Sequence, residues 1–130
     1  MIKFIIKKSN IIKGLEKNSI FKGRGDLIVK NEIKFINDTY NSNLVSCLNG
    51  IKAVAKMSGQ RKILVLGDMH ELGDKTRNEH EKLGEFINKL TIDAVFCLGE
   101  YMKFTLNVID SKKIFTKHFN SKKEIITSFD

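Results

Sequence analysis

The chain has 130 residues, enough for one domain with a hydrophobic core, and its 42% hydrophobic and 29% charged residues indicate a soluble globular protein. No apolar run reaches the roughly 18 residues that a membrane span requires, and the start "MIKFIIKK" is too short for a secretory signal, so we expect a cytoplasmic protein without membrane partners. The net charge of +8 raises nucleic acid as a partner, but only three basic residues are arginine and the lysines are scattered, which argues against it. The two cysteines, Cys47 and Cys97, lie in separate apolar contexts that favour buried free thiols over a disulfide or a metal pair.

The predicted elements alternate along the chain. Residues 27–37 predict a β-hairpin around the polar turn Lys30-Asn31-Glu32. Residues 44–57 have helical apolar spacing, with capping residues at 41–43 and Gly59 placed to end the helix. The run "KILVLG" predicts a strand covered on both faces. Further elements are predicted as a helix over 75–90, a buried strand over 91–99, a short helix over 100–109, a strand over 113–116 and a last helix capped by Ser121.

This order predicts an α/β fold: a Rossmann-like, mostly parallel sheet with helices on both faces, preceded by a β-hairpin. Ligands of such sheets bind at the loops that follow the carboxyl ends of the strands. The loop from Gly67 to Gly73 is one of these, and the loop after Leu98 is another.

Three polar stretches are candidate sites. In "INDTYNSN", residues 36–43, a carboxylate, a phenol and two amides suit recognition of a nucleotide, although the spacing alone favours simple helix capping. In "GDMHELGD", residues 67–74, the carboxylates and the histidine could ligate a metal ion, but a tight strand-to-helix loop is the favoured interpretation. In "KGRGD", Arg24 could meet a phosphate, while a surface turn is the plainer alternative.

The histidines carry less information. His80 lies within a predicted helix, which favours a packing or hydrogen-bonding role over that of a catalytic base, and His118 has no visible partner. Neither G-x-x-x-x-G-K-[ST] nor G-x-G-x-x-G occurs in the chain, so it has no P-loop of its own.

Taken together, "INDTYNSN", "KILVLGDMHELGDKTRNEHEKLG" and "IDAVFCLGE" resemble the C-terminal domain of the Mur ligases. That family shows D-D-x-Y-N-A-N-P and V-L-G-D-M-x-E-L-G, followed by a histidine, which His80 matches. Arg24 matches a G-R position at the end of the family's central domain. Leu44 stands where the family usually has proline.

The resemblance implies an ATP-dependent ligase of peptidoglycan precursor synthesis. In this reaction ATP, with Mg²⁺, converts a carboxylate of a UDP-muramoyl peptide into an acyl phosphate, which the amine of D-alanyl-D-alanine then attacks. By position, Asp38 would hold the ribose hydroxyls and Arg24 the phosphates, with Tyr40, Asn41 and Asn43 lining the nucleotide side of the cleft. The substrate-cleft wall would include Asp68, Met69, Glu71 and His80.

The resemblance also implies missing parts, because the family's UDP-sugar domain, its P-loop, its Mg²⁺ ligands and a late K-G-S element are absent from the sequence. We therefore expect residues 1–26 to be a remnant of the central ATP-binding domain and residues 27–130 to be a C-terminally truncated ligase domain. Such a chain would be inactive without a separately supplied N-terminal half. The alternative is a stand-alone nucleotide- or nucleic-acid-binding Rossmann-like module.

Overall fold

The computed structural model describes residues 23–40 and 42–128. They belong to two compact units, the first ending at Tyr40 and the second beginning at Asn41. Most of the segment 1–26, predicted as a remnant of a central domain, lies outside the described residues. The predicted boundary between residues 26 and 27 therefore stays a prediction.

The first unit contains the predicted hairpin. Strand β1 (Asp26–Lys30) pairs antiparallel with β2 (Ile33–Asn37), so that Lys30 lies opposite Ile33. The two turn residues, Asn31 and Glu32, have φ values of +49° and +64°. Positive φ at both central positions gives a turn whose twist matches that of the paired strands, and asparagine adopts this backbone readily.

The second unit alternates helices and strands. Its elements are α1 (Leu44–Lys56), β3 (Ile63–Gly67), a 3-10 turn (Gly73–Lys75), α2 (Thr76–Ile87), β4 (Ala94–Leu98), α3 (Met102–Val108), β5 (Phe115–Phe119) and α4 (Lys122–Thr127). The three strands are parallel and lie in the order β3-β4-β5. This arrangement confirms the predicted fold class, a hairpin followed by a parallel Rossmann-like sheet with helices.

The core lies on one face of this sheet. Leu64, Val95 and Cys97 point from β3 and β4 into a buried apolar cluster with side chains of the first three helices. The strands follow one another across the sheet in chain order, so right-handed crossovers place α2 and α3 on the same face of the sheet. The two helices pack against each other there. The buried helical contributors are Ile51, Leu83, Ile87 and Met102.

Strand β3 departs from the prediction that both of its faces are covered. Leu64 is buried, but Ile63 is 41% exposed and Val65 is 57% exposed. The reason is that β3 is an edge strand and these two side chains lie on the face opposite the core. A continuous apolar run does not distinguish an edge strand from a central one. Central β4 is buried, as predicted: Val95 and Cys97 are fully buried on the core face and Ala94 is buried on the opposite face, where Phe96 is partly buried.

Two of the boundaries that differ from the predictions have a clear physical cause. Helix α1 ends at Lys56, where extended Met57 caps it by donating its N–H to the Val54 carbonyl, so Gly59 does not end the helix. The third strand begins at Phe115 and not at Lys113, because the N–H groups of Lys113 and Ile114 are bonded to the Asp110 carbonyl in a turn.

Candidate functional site

The open end of the hairpin brings two separate sequence motifs together. The Gly25 N–H donates to the Asn37 carbonyl, and the Tyr40 N–H donates to the Gly23 carbonyl, each at 2.9 Å. Gly23 has a φ of +86°, and a Cβ there would crowd the Tyr40 backbone nitrogen at 3.2 Å. Glycine is therefore required for both its conformation and its close approach.

Arg24 and Tyr40 meet at this end of the hairpin. The guanidinium carbon of Arg24 lies 4.3 Å from the centroid of the Tyr40 ring, within the range of a cation–π interaction. Asp38 is exposed on the same segment, directly after β2. Three of the predicted nucleotide-binding residues thus lie in one unit, and two of them are in contact.

The other two predicted nucleotide-binding residues belong to the second unit. Asn41 lies outside the described residues. Asn43 is the N-cap of α1: its Oδ1 accepts the Ser46 N–H at 2.9 Å, and its own N–H donates to the Ser46 hydroxyl at 3.1 Å. This reciprocal capping box is what the capping interpretation predicts for Asn43. A nucleotide-binding role for Asn43 stays a prediction.

The loop after β3 is joined to the loop after β4 by Asp68. Its carboxylate accepts the Met102 N–H, at the start of α3, at 2.9 Å. Gly99, in the second loop, has a φ of +124°, and a Cβ at that position would overlap the Asp68 carboxyl group. The two loops that follow adjacent strand ends are therefore packed against each other through one carboxylate.

The next residue of the same loop is fixed to α2. Met69 is 1% exposed, and its N–H donates to Nε2 of His80 at 3.2 Å. His80 is fully buried, and its Nδ1 lies 2.7 Å from the Thr76 carbonyl oxygen. The structure therefore brings together Asp68, Met69 and His80, three of the four residues predicted for the cleft wall.

The fourth, Glu71, lies at the exposed tip of the loop with His70. Glu71 has a φ of +62°, a left-handed conformation that is uncommon for a residue with a long side chain. Met69, directly before these two residues, is buried, so the loop turns from the core to solvent between Met69 and His70. Sequence patterns do not predict a positive φ at a residue such as Glu71.

Two further residues at this edge were not predicted to contribute. Nε2 of His118, on β5, donates to the Gly99 carbonyl at 2.7 Å, so His118 does have a partner, one that is distant in sequence.

Cys97 is a fully buried free thiol, as predicted, and burial followed by the negative charge of Asp68 raises its pKa to about 12. Burial and the raised pKa disfavour the thiolate of Cys97, so this thiol lacks the environment of a reactive nucleophile. The second cysteine, Cys47, is only half-buried, which differs from the prediction that both thiols are buried.

Two kinds of feature are absent from the part of the chain that the structure describes. Within residues 23–40 and 42–128, His, Cys, Asp and Glu side chains do not gather in threes at any place that could ligate a metal ion. The helices of these same residues are all too short or too polar to cross a bilayer.

Comparison with known proteins assigns the family. Residues 23–129 match the family model described as Mur ligase, glutamate ligase domain. The UDP-N-acetylmuramoyl-tripeptide–D-alanyl-D-alanine ligase of Buchnera aphidicola is 36% identical over 95% of this chain and 26% of its own length. The corresponding ligase of Bacillus subtilis is 33% identical over 95% of this chain and 28% of its own length.

Solved structures agree with the sequence comparisons. A crystal structure of MurF from Acinetobacter baumannii superposes with a TM-score of 0.78 at 30% identity, covering 95% of this chain and 27% of that one. The chain thus spans about a quarter of the length of the relatives it matches. On the match of the family model to most of its length, the chain belongs to the Mur ligase family and carries the family's glutamate ligase domain.

Proposed function

We propose that the chain acts as the C-terminal domain of a peptidoglycan-precursor ligase that joins D-alanyl-D-alanine to a UDP-muramoyl tripeptide in the cytoplasm. The relatives that support this specificity carry that reaction in their names and cover nearly the whole chain. The observation that carries the proposal is the assembly of Arg24 and Tyr40 at the end of the hairpin, beside exposed Asp38.

In this reaction ATP is a substrate that supplies the phosphoryl group for activating the tripeptide carboxylate. A guanidinium held over an aromatic ring is restricted in its motion, and guanidinium N–H groups bind phosphate oxygens in a planar, bidentate geometry. A carboxylate such as that of Asp38 accepts hydrogen bonds from vicinal hydroxyls. We therefore assign Arg24 to the phosphates and Asp38 to the ribose, and we keep nucleotide binding by Tyr40, Asn41 and Asn43 as what the family resemblance implies.

The remaining chemistry is assigned to other parts of a ligase. The 130 residues contain no G-x-x-x-x-G-K-[ST] motif, and the described residues offer no metal-binding cluster, so they do not fit Mg²⁺ and we assign them no step through it. Phosphoryl transfer depends on charge stabilisation by such groups. We therefore propose that the chain ligates only together with a polypeptide that supplies the nucleotide-phosphate and sugar-binding parts.

The test of this site uses the chain combined with the N-terminal three quarters of the Bacillus subtilis relative. Asp38→Ala should raise the KM for ATP about tenfold, the effect of losing about 1.4 kcal/mol of charged hydrogen bonding, and Arg24→Ala should act in the same direction. Lys34→Ala, an exposed change on β2 of the same hairpin, is the matched control and should leave the KM unchanged.

Unaltered ATP dependence in both Asp38→Ala and Arg24→Ala would contradict the proposed nucleotide site. If the chain alone binds ATP as tightly as the combination does, the alternative of a stand-alone nucleotide-binding module would be favoured.

A further inference from the structure

We propose that His80 is a positioning residue of the cleft-wall loop, residues 68–73, and that it acts as a neutral hydrogen-bond acceptor and not as a carrier of protons. The inference rests on the proposed function for its link to ligation. Its structural part, that His80 fixes the backbone of Met69, can be tested independently of any activity.

The hydrogen bonds of His80 determine its tautomer. A backbone carbonyl can only accept, so the 2.7 Å contact with the Thr76 carbonyl requires a hydrogen on Nδ1. A backbone N–H can only donate, so the 3.2 Å contact from Met69 requires a lone pair on Nε2. Both ring nitrogens are therefore engaged by the backbone, and neither is available to exchange a proton with a substrate.

The backbone that carries His80 is itself fixed. The hydroxyl of Thr105, a fully buried residue of α3, donates to the His80 carbonyl at 2.9 Å. One turn further along α2, Gly84 lies so close to α3 that a Cβ would overlap the Thr105 carbonyl oxygen. The ring of Tyr101 lies 6.0 Å from the imidazole, centroid to centroid. The imidazole therefore has a fixed origin and little room to rotate.

This arrangement joins consecutive loop residues to different helices. Asp68 is bonded through its side chain to the start of α3, and Met69 is bonded through its backbone to α2 by way of His80. A loop held at two adjacent residues by two packed helices has few backbone conformations available to it. His70 and Glu71, which follow directly, are thereby held at the exposed tip of the loop.

The experiment compares two substitutions that each preserve one half of the histidine geometry. The side-chain carbonyl of His80→Gln can occupy the place of Nε2 and accept the Met69 N–H, whereas the amide of His80→Asn can reach only the place of Nδ1. We expect the Met69 amide hydrogen to exchange about tenfold faster in His80→Asn than in the wild-type chain, and within about threefold of wild type in His80→Gln. Equal exchange in both variants would overturn the proposal.

A measurement on the unmodified chain covers the case in which a variant does not fold. Nitrogen-15 NMR of the His80 ring should show a protonated Nδ1 and a hydrogen-bonded, unprotonated Nε2 at neutral pH. A charged imidazolium or the opposite tautomer would refute the proposal without any mutation.

The link to ligation is measured on the combined enzyme described above. His80→Asn should raise the KM for D-alanyl-D-alanine about tenfold with kcat within about threefold of wild type, and His80→Gln should restore the KM. A proton-transferring histidine would instead lose about 100-fold or more in kcat in both variants. If the wild-type combination does not ligate at all, the proposed function fails, while the exchange and NMR experiments still decide the role of His80.

Discussion

The carboxyl group of Asp68 occupies the space that a Cβ of Gly99 would need. The two residues lie 31 positions apart, in loops that follow adjacent strands of the parallel sheet. Because Asp68 also accepts the Met102 N–H, this contact sets the distance between the loop after β3 and the start of α3.

Gly99→Ala should lower the free energy of unfolding by about 2–4 kcal/mol, since it adds both a steric overlap and a strained positive φ. Urea denaturation followed by circular dichroism measures this change. Gly73→Ala is the matched control, because Gly73 also has a positive φ, of +53°, but has open space around it. Gly73→Ala should lower the free energy of unfolding by only about 1–2 kcal/mol. Equal losses in the two variants would contradict the close approach of Asp68 to Gly99.

Asp68→Ala should make Gly99→Ala less harmful, because removing the carboxyl group makes room for the new Cβ. A double-mutant cycle measured by urea denaturation should give a coupling energy of about 1–2 kcal/mol. Asp68→Ala alone should cost about 1–2 kcal/mol for the lost bond to Met102, and Asp68→Asn, which keeps an acceptor, should cost less. Strict additivity of the two substitutions would show that the carboxyl group and Gly99 do not meet.

Gly84→Ala tests the crossing of α2 and α3. Alanine is a better helix former than glycine by about 1 kcal/mol, so on an isolated helix the change would be stabilising. Here a Cβ would overlap the Thr105 carbonyl and a methyl group of Val108, and overpacking of this kind costs about 1–3 kcal/mol. We expect a net loss of stability in thermal or urea unfolding. Asn78→Ala, on an exposed position of the same helix, is the control, and a stabilised Gly84→Ala would contradict the close crossing.

Cys97 predicts a specific pH dependence. Its folded-state pKa of about 12 lies above the ordinary value of 9.0, so the folded chain holds this proton more tightly than the unfolded chain does. The corresponding stability is fully present below pH 9 and is lost as the pH rises from about 9 to 12, by up to about 1.4 kcal/mol per pH unit. Urea denaturation at several alkaline pH values should show a smaller slope in Cys97→Ala than in the wild-type chain.

The contrasting thiol, Cys47, supplies a second readout for the same prediction. Iodoacetamide at pH 8 should modify half-buried Cys47 while Cys97 stays unmodified until urea unfolds the chain. Rapid modification of Cys97 in the folded chain, located by peptide mass spectrometry, would contradict its buried and protonated state.

Features that depend on residues close together in the chain could be predicted from the sequence. The hairpin turn at Asn31 and Glu32, the Asn43 cap and the α1 periodicity are all local, and each was predicted. The partners of Asp68 and His118 lie 34 and 19 positions away, on other elements, so no local pattern reveals them. The exposure of Val65 was missed for a related reason, since only the order of the strands makes β3 an edge strand.

The residues of the predicted site also divide into those that local sequence identifies and those that only the folded chain identifies. The motif containing Asp68 and Met69 could be located from its position after a predicted strand, and the family resemblance added His80. The contact between Arg24 and Tyr40 required the hairpin pairing that brings residues 23–25 next to residues 37–40. The acceptor role of His80 required atomic geometry, because residue type alone does not distinguish a hydrogen-bonding histidine from a catalytic one.

The central claim is that this chain supplies the C-terminal domain of a D-alanyl-D-alanine-adding ligase. The most direct test is to measure ATP-dependent joining of D-alanyl-D-alanine to UDP-muramoyl tripeptide by the chain and by the N-terminal three quarters of the Bacillus subtilis relative, separately and mixed. The proposal predicts product only in the mixture, and predicts that Asp38→Ala weakens its formation. No product from a mixture of two folded polypeptides, together with product from the intact Bacillus subtilis ligase under the same conditions, would contradict it.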